Sequence, residues 1–284
     1  MSEISEPPYA RWRPPRPLFT ERCDAVKKSP FLDFRPITDK PDLQWENFRQ
    51  PLLKKSTLST EIEYQCQLGF GVDGIVWKVE IEGKAYALKV FWDNTPPSGT
   101  RYWAVQRECQ NAALLDMIRN AINTSDQPVC LHPKPETRAD AVANLRVFSI
   151  EGRQRFRNTP GAIEYSSAPR FRQCMGWASI RGSYLLALDN NIRPCRPVFN
   201  GIQREIRREE DYYAIIYEFI PVQSATLLTG DIQQSQLDLL WLAGFCLVPL
   251  RPENWEGGIL LDMADIIAPW HAGWSRKRYK RIVV

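Results

Sequence analysis

Three closely spaced glycines followed by a lysine are the residues best suited to chemistry in this sequence. Gly69, Gly71 and Gly74 lie within one short stretch, and Lys89 follows them. This spacing is typical of a loop that binds phosphate groups, with the lysine as the phosphate-binding side chain. The alternative is an ordinary tight turn, which three glycines also suit.

Three strands are predicted around the glycine loop. Residues 61–68 alternate in polarity before the loop, and residues 76–82 and 85–91 indicate two strands after it. A dinucleotide-binding fingerprint would need a helix directly after the glycines. β-Branched residues follow them instead, so the pattern favours strand–loop–strand.

A helix is predicted over residues 103–120, where apolar residues recur near helical spacing without proline. Glu108 lies in it, 19 residues after Lys89. A glutamate at this distance could hold Lys89 against nucleotide phosphates. Alternatively, Glu108 is a solvated residue of a surface helix beside Arg107.

Further candidates lie downstream. Residues 211–221 predict a buried strand that contains Glu218 near its end, and residues 235–245 predict a helix. Asp262 and Asp265 follow a glycine pair. These two aspartates could instead belong to a turn or cap a helix N-terminus.

The order of these pieces resembles a protein kinase over roughly residues 58–268. The resemblance implies an α+β fold with an N-lobe β-sheet, one αC-like helix, a strongly truncated C-lobe and an extended N-terminal arm. It implies ATP with Mg²⁺ as cofactor, and Asn254 and Asp262 as Mg²⁺ ligands. The implied cofactor contacts are Gly69, Gly71, Gly74, Val76, Ala87, Lys89, Glu108, Glu218, Asn254 and Asp262.

The catalytic loop departs from the kinase pattern. Leu250 and Asn254 match it, but Pro249 stands where a kinase has the aspartate that accepts the hydroxyl proton. Proline has no side-chain acceptor, so we expect phosphoryl transfer to be impaired. Only 22 residues follow Asp262, which leaves little room for a substrate-binding lobe.

Three functions are compatible with this pattern. The favoured one is a catalytically impaired kinase-like protein, a pseudokinase, that acts as a nuclear binding or scaffold protein. The alternative is an active atypical protein kinase that transfers phosphate from ATP to a protein Ser or Thr, with Glu253 or Asp262 as the base. In the third, the domain binds no nucleotide and serves only as an interaction surface.

The C-terminal part also resembles a fungal family named for a kinetochore subunit, the second "Fta" component of the Sim-four complex. The resemblance is carried by Asn254, Trp255, the glycines at 257 and 258, Asp262 and the stretch 269–274. It implies that the chain is a kinetochore complex subunit and that its partners are other subunits of a chromatin or kinetochore complex.

The domain organisation follows from composition. The predicted parts are a Pro-rich N-terminal arm (1–57), a kinase-like domain (58–268) with a long insert (121–210), and a basic tail (269–284). Aromatic residues of the arm are expected to dock on the domain: Tyr9, Trp12, Phe19, Phe31 and Phe34. Within the insert, residues 170–180 and 183–189 are predicted to be paired strands.

Composition and charge bear on location. No apolar run reaches the length of a membrane span, and the acidic N-terminus is unlike a signal peptide. Seven scattered cysteines without a C-x-x-C pair, together with two histidines, argue against a zinc site and suit a reducing cytosol or nucleus.

The tail carries five basic residues and no acid: Arg276, Lys277, Arg278, Lys280 and Arg281. Such a cluster predicts nuclear localisation or contact with DNA phosphates. The alternative is a solvated terminus.

Overall fold

Six helices and fifteen strands lie in the part of the chain that the structure, a computed structural model, describes: residues 17–37, 40–59, 61–221, 229–247 and 251–284. The helices are α1 (Pro17–Lys27), α2 (Trp45–Arg49), α3 (Ala104–Asn123), α4 (Arg138–Arg146), α5 (Gly182–Leu186) and α6 (Thr229–Leu242). The strands are β1 (Leu32–Pro36), β2 (Leu53–Lys55), β3 (Glu63–Phe70), β4 (Gly74–Ile81), β5 (Lys84–Phe91), β6 (Val129–Leu131), β7 (Ile163–Tyr165), β8 (Cys174–Arg181), β9 (Val198–Phe199), β10 (Ile202–Gln203), β11 (Asp211–Glu218), β12 (Cys246–Leu247), β13 (Trp255–Glu256), β14 (Ile259–Leu260) and β15 (Ile266–Ile267). Single 3₁₀ turns occur at Pro252–Asn254 and Met263–Asp265. None of the described helices combines the length and apolar character needed to cross a bilayer.

One seven-stranded sheet dominates this mixed α and β architecture. Its strand order is β1-β2-β8-β11-β5-β4-β3. The strands from β8 to β3 pair antiparallel, whereas β1 with β2 and β2 with β8 pair parallel. Most residues of the central strands β5 and β11 are buried, which explains their nearly continuous apolar sequence. The strands predicted around the glycine loop and at 211–221 are confirmed as β3, β4, β5 and β11.

The two faces of the sheet carry separate cores. On one face α3 packs against Phe91, Ile215 and Tyr217, and most of α3 is buried because the C-terminal segment also contacts it. The helix predicted over 103–120 is therefore confirmed as α3. On the other face Trp77 lies in a core that includes residues of the insert, and its Nε1 donates to the carbonyl of Ile192 at 2.7 Å. The insert is thus part of the packed fold.

The predicted pairing of residues 170–180 with 183–189 is wrong. β8 covers much of the first segment, but the second begins with the short helix α5. The reason is that both edges of β8 are occupied, by β2 on one side and β11 on the other. The chain turns away at Gly182, where the N–H donates to the carbonyl of Glu210 at 2.8 Å.

The N-terminal segment differs from the extended arm expected over residues 1–57. From residue 17 onward it forms two helices and two strands, and β1 and β2 extend the main sheet beside β8. Apolar burial explains this: Phe31 and Phe48 lie in the main core, and the ring of Phe31 meets Trp103 edge-on at 4.9 Å. Phe34 likewise contacts Trp177 edge-on. The expected docking of Tyr9 and Trp12 lies outside the described residues.

The C-terminal tail packs on the domain more extensively than its charge suggests. The indole N–H of Trp274 donates to the carbonyl of Gly244 at 2.9 Å, and the hydroxyl of Tyr279 donates to the carbonyl of Trp241 at 2.8 Å. Two of the five basic residues are ion-paired: Arg281 binds both carboxylate oxygens of Asp238, and Arg276 lies 3.8 Å from Glu136. Acidic partners therefore oppose two of the five positive charges of the tail.

His271 joins the start of the tail to α3 and should make stability depend on pH. It is 2 % exposed, and its Nε2 lies 3.0 Å from Oε1 of Gln110. Burial, helped by the charge of Arg107, lowers the pKa of His271 to about 3 from 6.5. The folded protein thus holds this imidazole neutral, whereas the unfolded chain binds a proton below about pH 6.5, so stability falls as pH drops from there towards about 3.

We expect this effect to reach about 2 kcal/mol at pH 5 relative to pH 7. It is measured as the change in unfolding free energy between the two pH values, in urea, for the natural protein and for His271→Gln. The glutamine can still donate to Gln110 but does not titrate, so the difference between the two proteins isolates the histidine. Equal pH dependence in both would contradict the buried neutral state.

Candidate functional site

Three charged side chains from distant parts of the sequence meet beside the central strands. Nζ of Lys89 on β5 lies 2.6 Å from Oε2 of Glu108 on α3 and 3.1 Å from Oδ1 of Asp262. Glu108 is fully buried, and little of Lys89 is exposed. The spacing of 19 residues thus correctly brings Lys89 and Glu108 together, and the reading of Glu108 as a solvated surface residue is wrong.

The Glu108 carboxylate is held from two sides. One oxygen accepts from Lys89, and the other accepts from the hydroxyl of Tyr217 at 2.9 Å. Tyr217 pairs with Ala87 across β11 and β5, two residues from Lys89 on the same face of the sheet. The pairing of β11 with β5 therefore places the Tyr217 hydroxyl beside Lys89, where it holds the Glu108 carboxylate.

Asn111 brings Asp262 to this cluster. Its amide Nδ2 donates to the carbonyls of Met263 and Ile266, both at 2.8 Å, and so ties the segment after Asp262 to α3. Oδ1 of Asp262 accepts from the backbone N–H of Ala264 at 3.0 Å, as the turn reading of this aspartate expects, and from Lys89. Asn111 lies one helical turn after Glu108, so both face the same side of α3.

The electrostatics of the cluster favour a charged Lys89. Burial would lower the pKa of Lys89, but Asp262 and Glu108 outweigh it and the pKa rises. Burial would likewise raise the pKa of Asp262, but Lys89 and the Ala264 N–H outweigh it and the pKa falls. Burial raises the pKa of Glu108, which Lys89 offsets only in part. Lys89 is therefore the positive centre of the cluster, with Glu108 at 2.6 Å and Asp262 at 3.1 Å.

The glycine loop is held close to this cluster by its neighbours. The indole N–H of Trp92 donates to the carbonyl of Gly71 at 2.9 Å, and the hydroxyl of Tyr102 donates to Asp73 at 2.6 Å. The Asp73 carboxylate also acts on Lys89 and helps to raise its pKa. Two carboxylates thus contact Lys89 and Asp73 adds negative charge, so the anionic phosphates of a nucleotide would need a further cation here.

The three glycines have different structural roles. A Cβ on Gly74 would lie 2.3 Å from the carbonyl oxygen of Val90, so close strand pairing requires glycine there. A Cβ on Gly69 or Gly71 would meet no atom within 4 Å. Gly69 and Gly71 are therefore open to solvent or ligand, whereas the fold alone accounts for Gly74.

This difference gives a stability prediction. We expect Gly74→Ala to lower the unfolding free energy by about 1–3 kcal/mol, because the added methyl overlaps a backbone atom. Gly69→Ala and Gly71→Ala should change it by less than about 1 kcal/mol. Urea unfolding of the three variants provides the comparison, with Gly69→Ala and Gly71→Ala as matched controls. Three equal losses would show that the loop is packed differently.

The implied cofactor contacts on β4, β5 and β11 are only partly available. Val76 and Ala87 lie on the same face as Lys89, since Val76 pairs directly with Lys89 and Ala87 is two residues away. Glu218 is already occupied: its N–H donates to the carbonyl of Gln173, its carbonyl accepts from Arg172, and its carboxylate pairs with Arg170. Glu218 can therefore contribute to a ligand site only if these bonds change.

The expected Mg²⁺ ligands lie near a second carboxylate. The Asn254 side chain donates to Asp265, which neighbours Asp262. Burial and the charge of Asp262 raise the pKa of Asp265 to about 6. Among the described residues, no cluster of three or more His, Cys, Asp or Glu side chains could hold a metal ion. The oxygens of Asn254 and Asp262 nevertheless suit Mg²⁺, which proteins often hold with one or two carboxylates plus phosphates.

The structure describes only one of the two catalytic-loop residues named in the sequence analysis. Pro249, with Val248 and Leu250, lies outside the described residues. Glu253, the proposed substitute base, is exposed on a 3₁₀ turn. Within the described residues, no hydrogen bond or ion pair joins Glu253 to Lys89.

Three residues of the cluster escaped the sequence analysis as site residues: Tyr217, Asn111 and Asp73. Asn111 carried a usable signal, because a buried polar residue three positions after Glu108 shares its helix face. Tyr217 could have been found in a similar way, because its polar hydroxyl lies on the same face of a predicted buried strand as Ile215. Asp73 lies in the glycine loop itself, where a carboxylate is unexpected next to phosphate.

Comparison with known proteins bears on residues of this site. No curated protein matches the chain. A family model does match residues 37–124, which is about a third of the chain and covers β2 to α3, including Lys89 and Glu108. The C-terminal residues that carried the family resemblance in the sequence, from Asn254 to Trp274, lie outside the match. Over residues 37–124 the chain is similar to the family described as "Kinetochore Sim4 complex subunit FTA2".

Proposed function

We propose that the chain is a catalytically impaired, kinase-like subunit of a kinetochore complex that works by binding other proteins in the nucleus. One observation carries the proposal. The residues that match the kinetochore family are the same residues that build the glycine loop, Lys89 and Glu108. The segment that is similar to the family therefore contains the glycine loop, Lys89 and Glu108, on which the proposed kinase-like lobe rests.

The strand arrangement supports a kinase-like lobe. In protein kinases the phosphate-binding lysine lies on the third strand and pairs with a glutamate of the helix that follows. Here β3, β4 and β5 lead into α3, and the ion pair joins β5 to α3. β11, whose end resembles the adenine-binding strand, lies directly beside β5.

ATP with Mg²⁺ is the ligand that these residues fit. Gly69 and Gly71 leave open space along the loop, and Lys89 offers a positive charge. Asn254 and Asp262 would hold Mg²⁺, which would offset the surrounding carboxylates and bind the phosphates when present. Because Asp73, Glu108 and Asp262 repel phosphate, we propose that nucleotide binds only together with the metal ion.

The test of the kinetochore role is localisation and association. A fluorescently tagged chain, expressed in its own organism, should form nuclear foci at centromeres and co-purify with other kinetochore subunits. A matched Gly74→Ala variant, weakened in the segment that matches the family, should lose both at raised temperature. A uniform cytoplasmic signal without co-purifying kinetochore subunits would contradict the proposal.

The second candidate is an active atypical kinase. Asp265 favours it, because a carboxylate with a pKa of about 6 beside Asn254 could accept a hydroxyl proton near neutral pH. Against it stands Pro249 at the usual base position. The transfer assay described in the Discussion separates the two candidates.

DNA contact through the tail is a further part of the proposal. Lys277 and Lys280 are exposed, and no ion pair holds either of them within the described residues. If both touch phosphates, Lys277→Ala with Lys280→Ala should flatten the slope of log K against log salt by about two on duplex DNA. Arg208→Ala, at an exposed position outside the tail, is the control. An unchanged slope would assign the tail to packing alone.

A further inference from the structure

A cavity of about 270 Å³ lies between α1, the start of α3 and the segment from Ile267 to Arg278. None of the residues of the Lys89 cluster lines it. One wall is apolar and includes Phe19, Val26 and Trp103. Phe19 is 38 % exposed, so part of this wall is open to a ligand.

The other wall is cationic. Lys27, Arg101, Arg107 and Arg278 line the cavity, and none of the described lining residues is acidic. Two of these charges are committed to the fold. Nζ of Lys27 binds Asp24 and the carbonyls of Pro97 and Gly99, and Arg101 lies 2.9 Å from Asp93.

Arg107 and Arg278 are the other two positive charges of this wall. Neither forms an ion pair within the described part of the chain. The guanidinium of Arg107 stacks on the ring of Tyr102 at 3.7 Å and makes only a long hydrogen bond, 3.4 Å, to the carbonyl of Ala264. Burial lowers the pKa of Arg107. Tyr102, Asp73 and Asp265 oppose this shift, and the positive charge of Arg278 adds to it. An anion between the two arginines would offset both the burial of the Arg107 charge and its repulsion by Arg278.

A buried polar atom at the cavity also lacks a partner. Nδ1 of His271, which lines the cavity, makes no hydrogen bond in the described structure, although the residue is almost fully buried. Because Nε2 donates to Gln110, Nδ1 is an acceptor, and buried polar atoms are nearly always satisfied, so the cavity has a place here for a donor such as a peptide N–H or a water.

We propose that this cavity binds an acidic segment of a partner protein, with an Asp or Glu carboxylate between Arg107 and Arg278 and a neighbouring apolar side chain against Phe19 and Val26. Charge complementarity selects the carboxylate, since arginine forks bind it in a bidentate manner. Size selects a peptide, because about 270 Å³ is slightly below the range of typical cofactor pockets and suits one or two side chains. The inference deepens the proposed binding function and rests on it.

The experiment selects peptides on the purified full-length chain from a displayed library of random 12-residue peptides. We expect enriched sequences to combine acidic residues with an aromatic or branched apolar residue. Fluorescence polarisation with the most enriched peptide then measures affinity. Arg278→Gln, at an exposed position, and Phe19→Ala should each weaken binding about tenfold or more, and Arg107→Lys should weaken it through loss of the fork. Arg208→Gln, exposed and outside the cavity, should leave it unchanged.

Enriched peptides without acidic residues, no enrichment at all, or equal binding by Arg278→Gln and the natural protein would each overturn the inference. Such a failure together with normal kinetochore association of the natural protein would leave the proposed function intact. Loss of that association, by contrast, would remove the function whatever the cavity binds.

Discussion

Replacing Lys89 with methionine is expected to lower the unfolding free energy by about 3–5 kcal/mol, because it leaves the buried Glu108 and the partly buried Asp262 without their cation. Glu108 is fully buried, and Asp262 lies 3.1 Å from the lost charge. The size of this effect follows from burial: the same change at an exposed ion pair would cost about 1 kcal/mol or less.

The pH dependence of this variant gives a second readout. Without Lys89, the pKa of Glu108 rises further above the value of the unfolded chain. An acid whose folded pKa is raised favours folding when protonated, so the destabilisation should grow as pH increases above about 4.5. Urea unfolding at pH 5 and pH 8 measures it. Glu108→Gln with Lys89→Met should recover part of the stability at pH 8, and a loss below about 1 kcal/mol in the single variant would contradict the buried ion cluster.

Phosphoryl transfer should be absent above background on generic protein substrates. Pro249 supplies no acceptor for the hydroxyl proton, and loss of a positioned general base costs about 10²–10⁴ in rate. The assay follows labelled γ-phosphate onto protein at saturating ATP and Mg²⁺. Asp265→Asn is the informative control, since it removes the carboxylate best suited to replace the base.

The opposite result has a clear meaning. Transfer that is lost in both Lys89→Met and Asp265→Asn would identify an active atypical kinase in which Asp265 acts as the base. Transfer that survives Lys89→Met would instead indicate a contaminating kinase. The impaired-kinase proposal predicts equal background signals in all three proteins.

Local spacing explains why part of the site could be predicted from the sequence. β3, β4, β5 and α3 follow one another along the chain, so Lys89 and Glu108 lie on consecutive elements that pack together. The 3.6-residue period of α3 and the alternation along β5 then orient both side chains. The same local rules predicted β11, whose apolar run reflects burial on both faces.

Long-range contacts explain what the sequence did not reveal. β2 joins the sheet through a parallel pairing of Lys55 with Trp177, more than a hundred residues away, and no local pattern marks it. The sequence predicts a strand at residues 183–189 paired with residues 170–180, but β2 and β11 occupy both edges of β8. The proline content near the N-terminus predicts an extended arm. Phe31 and Phe48 are instead buried in the main core, which forms only when distant parts of the chain pack together.

The most direct test of the proposed nucleotide site is the shift in melting temperature that ATP and Mg²⁺ produce. At about 100 times the dissociation constant, a ligand adds about 2.7 kcal/mol of stability, which corresponds to about 5 °C or more for a chain of this size. The natural protein should show this shift with ATP and Mg²⁺ together, and little or none with ATP and a chelator, because the carboxylates of Glu108 and Asp262 already contact Lys89. Lys89→Ala, measured against its own lower baseline, should show no shift. A natural protein that does not respond to ATP and Mg²⁺, or a Lys89→Ala variant that responds equally, would contradict nucleotide binding at Lys89.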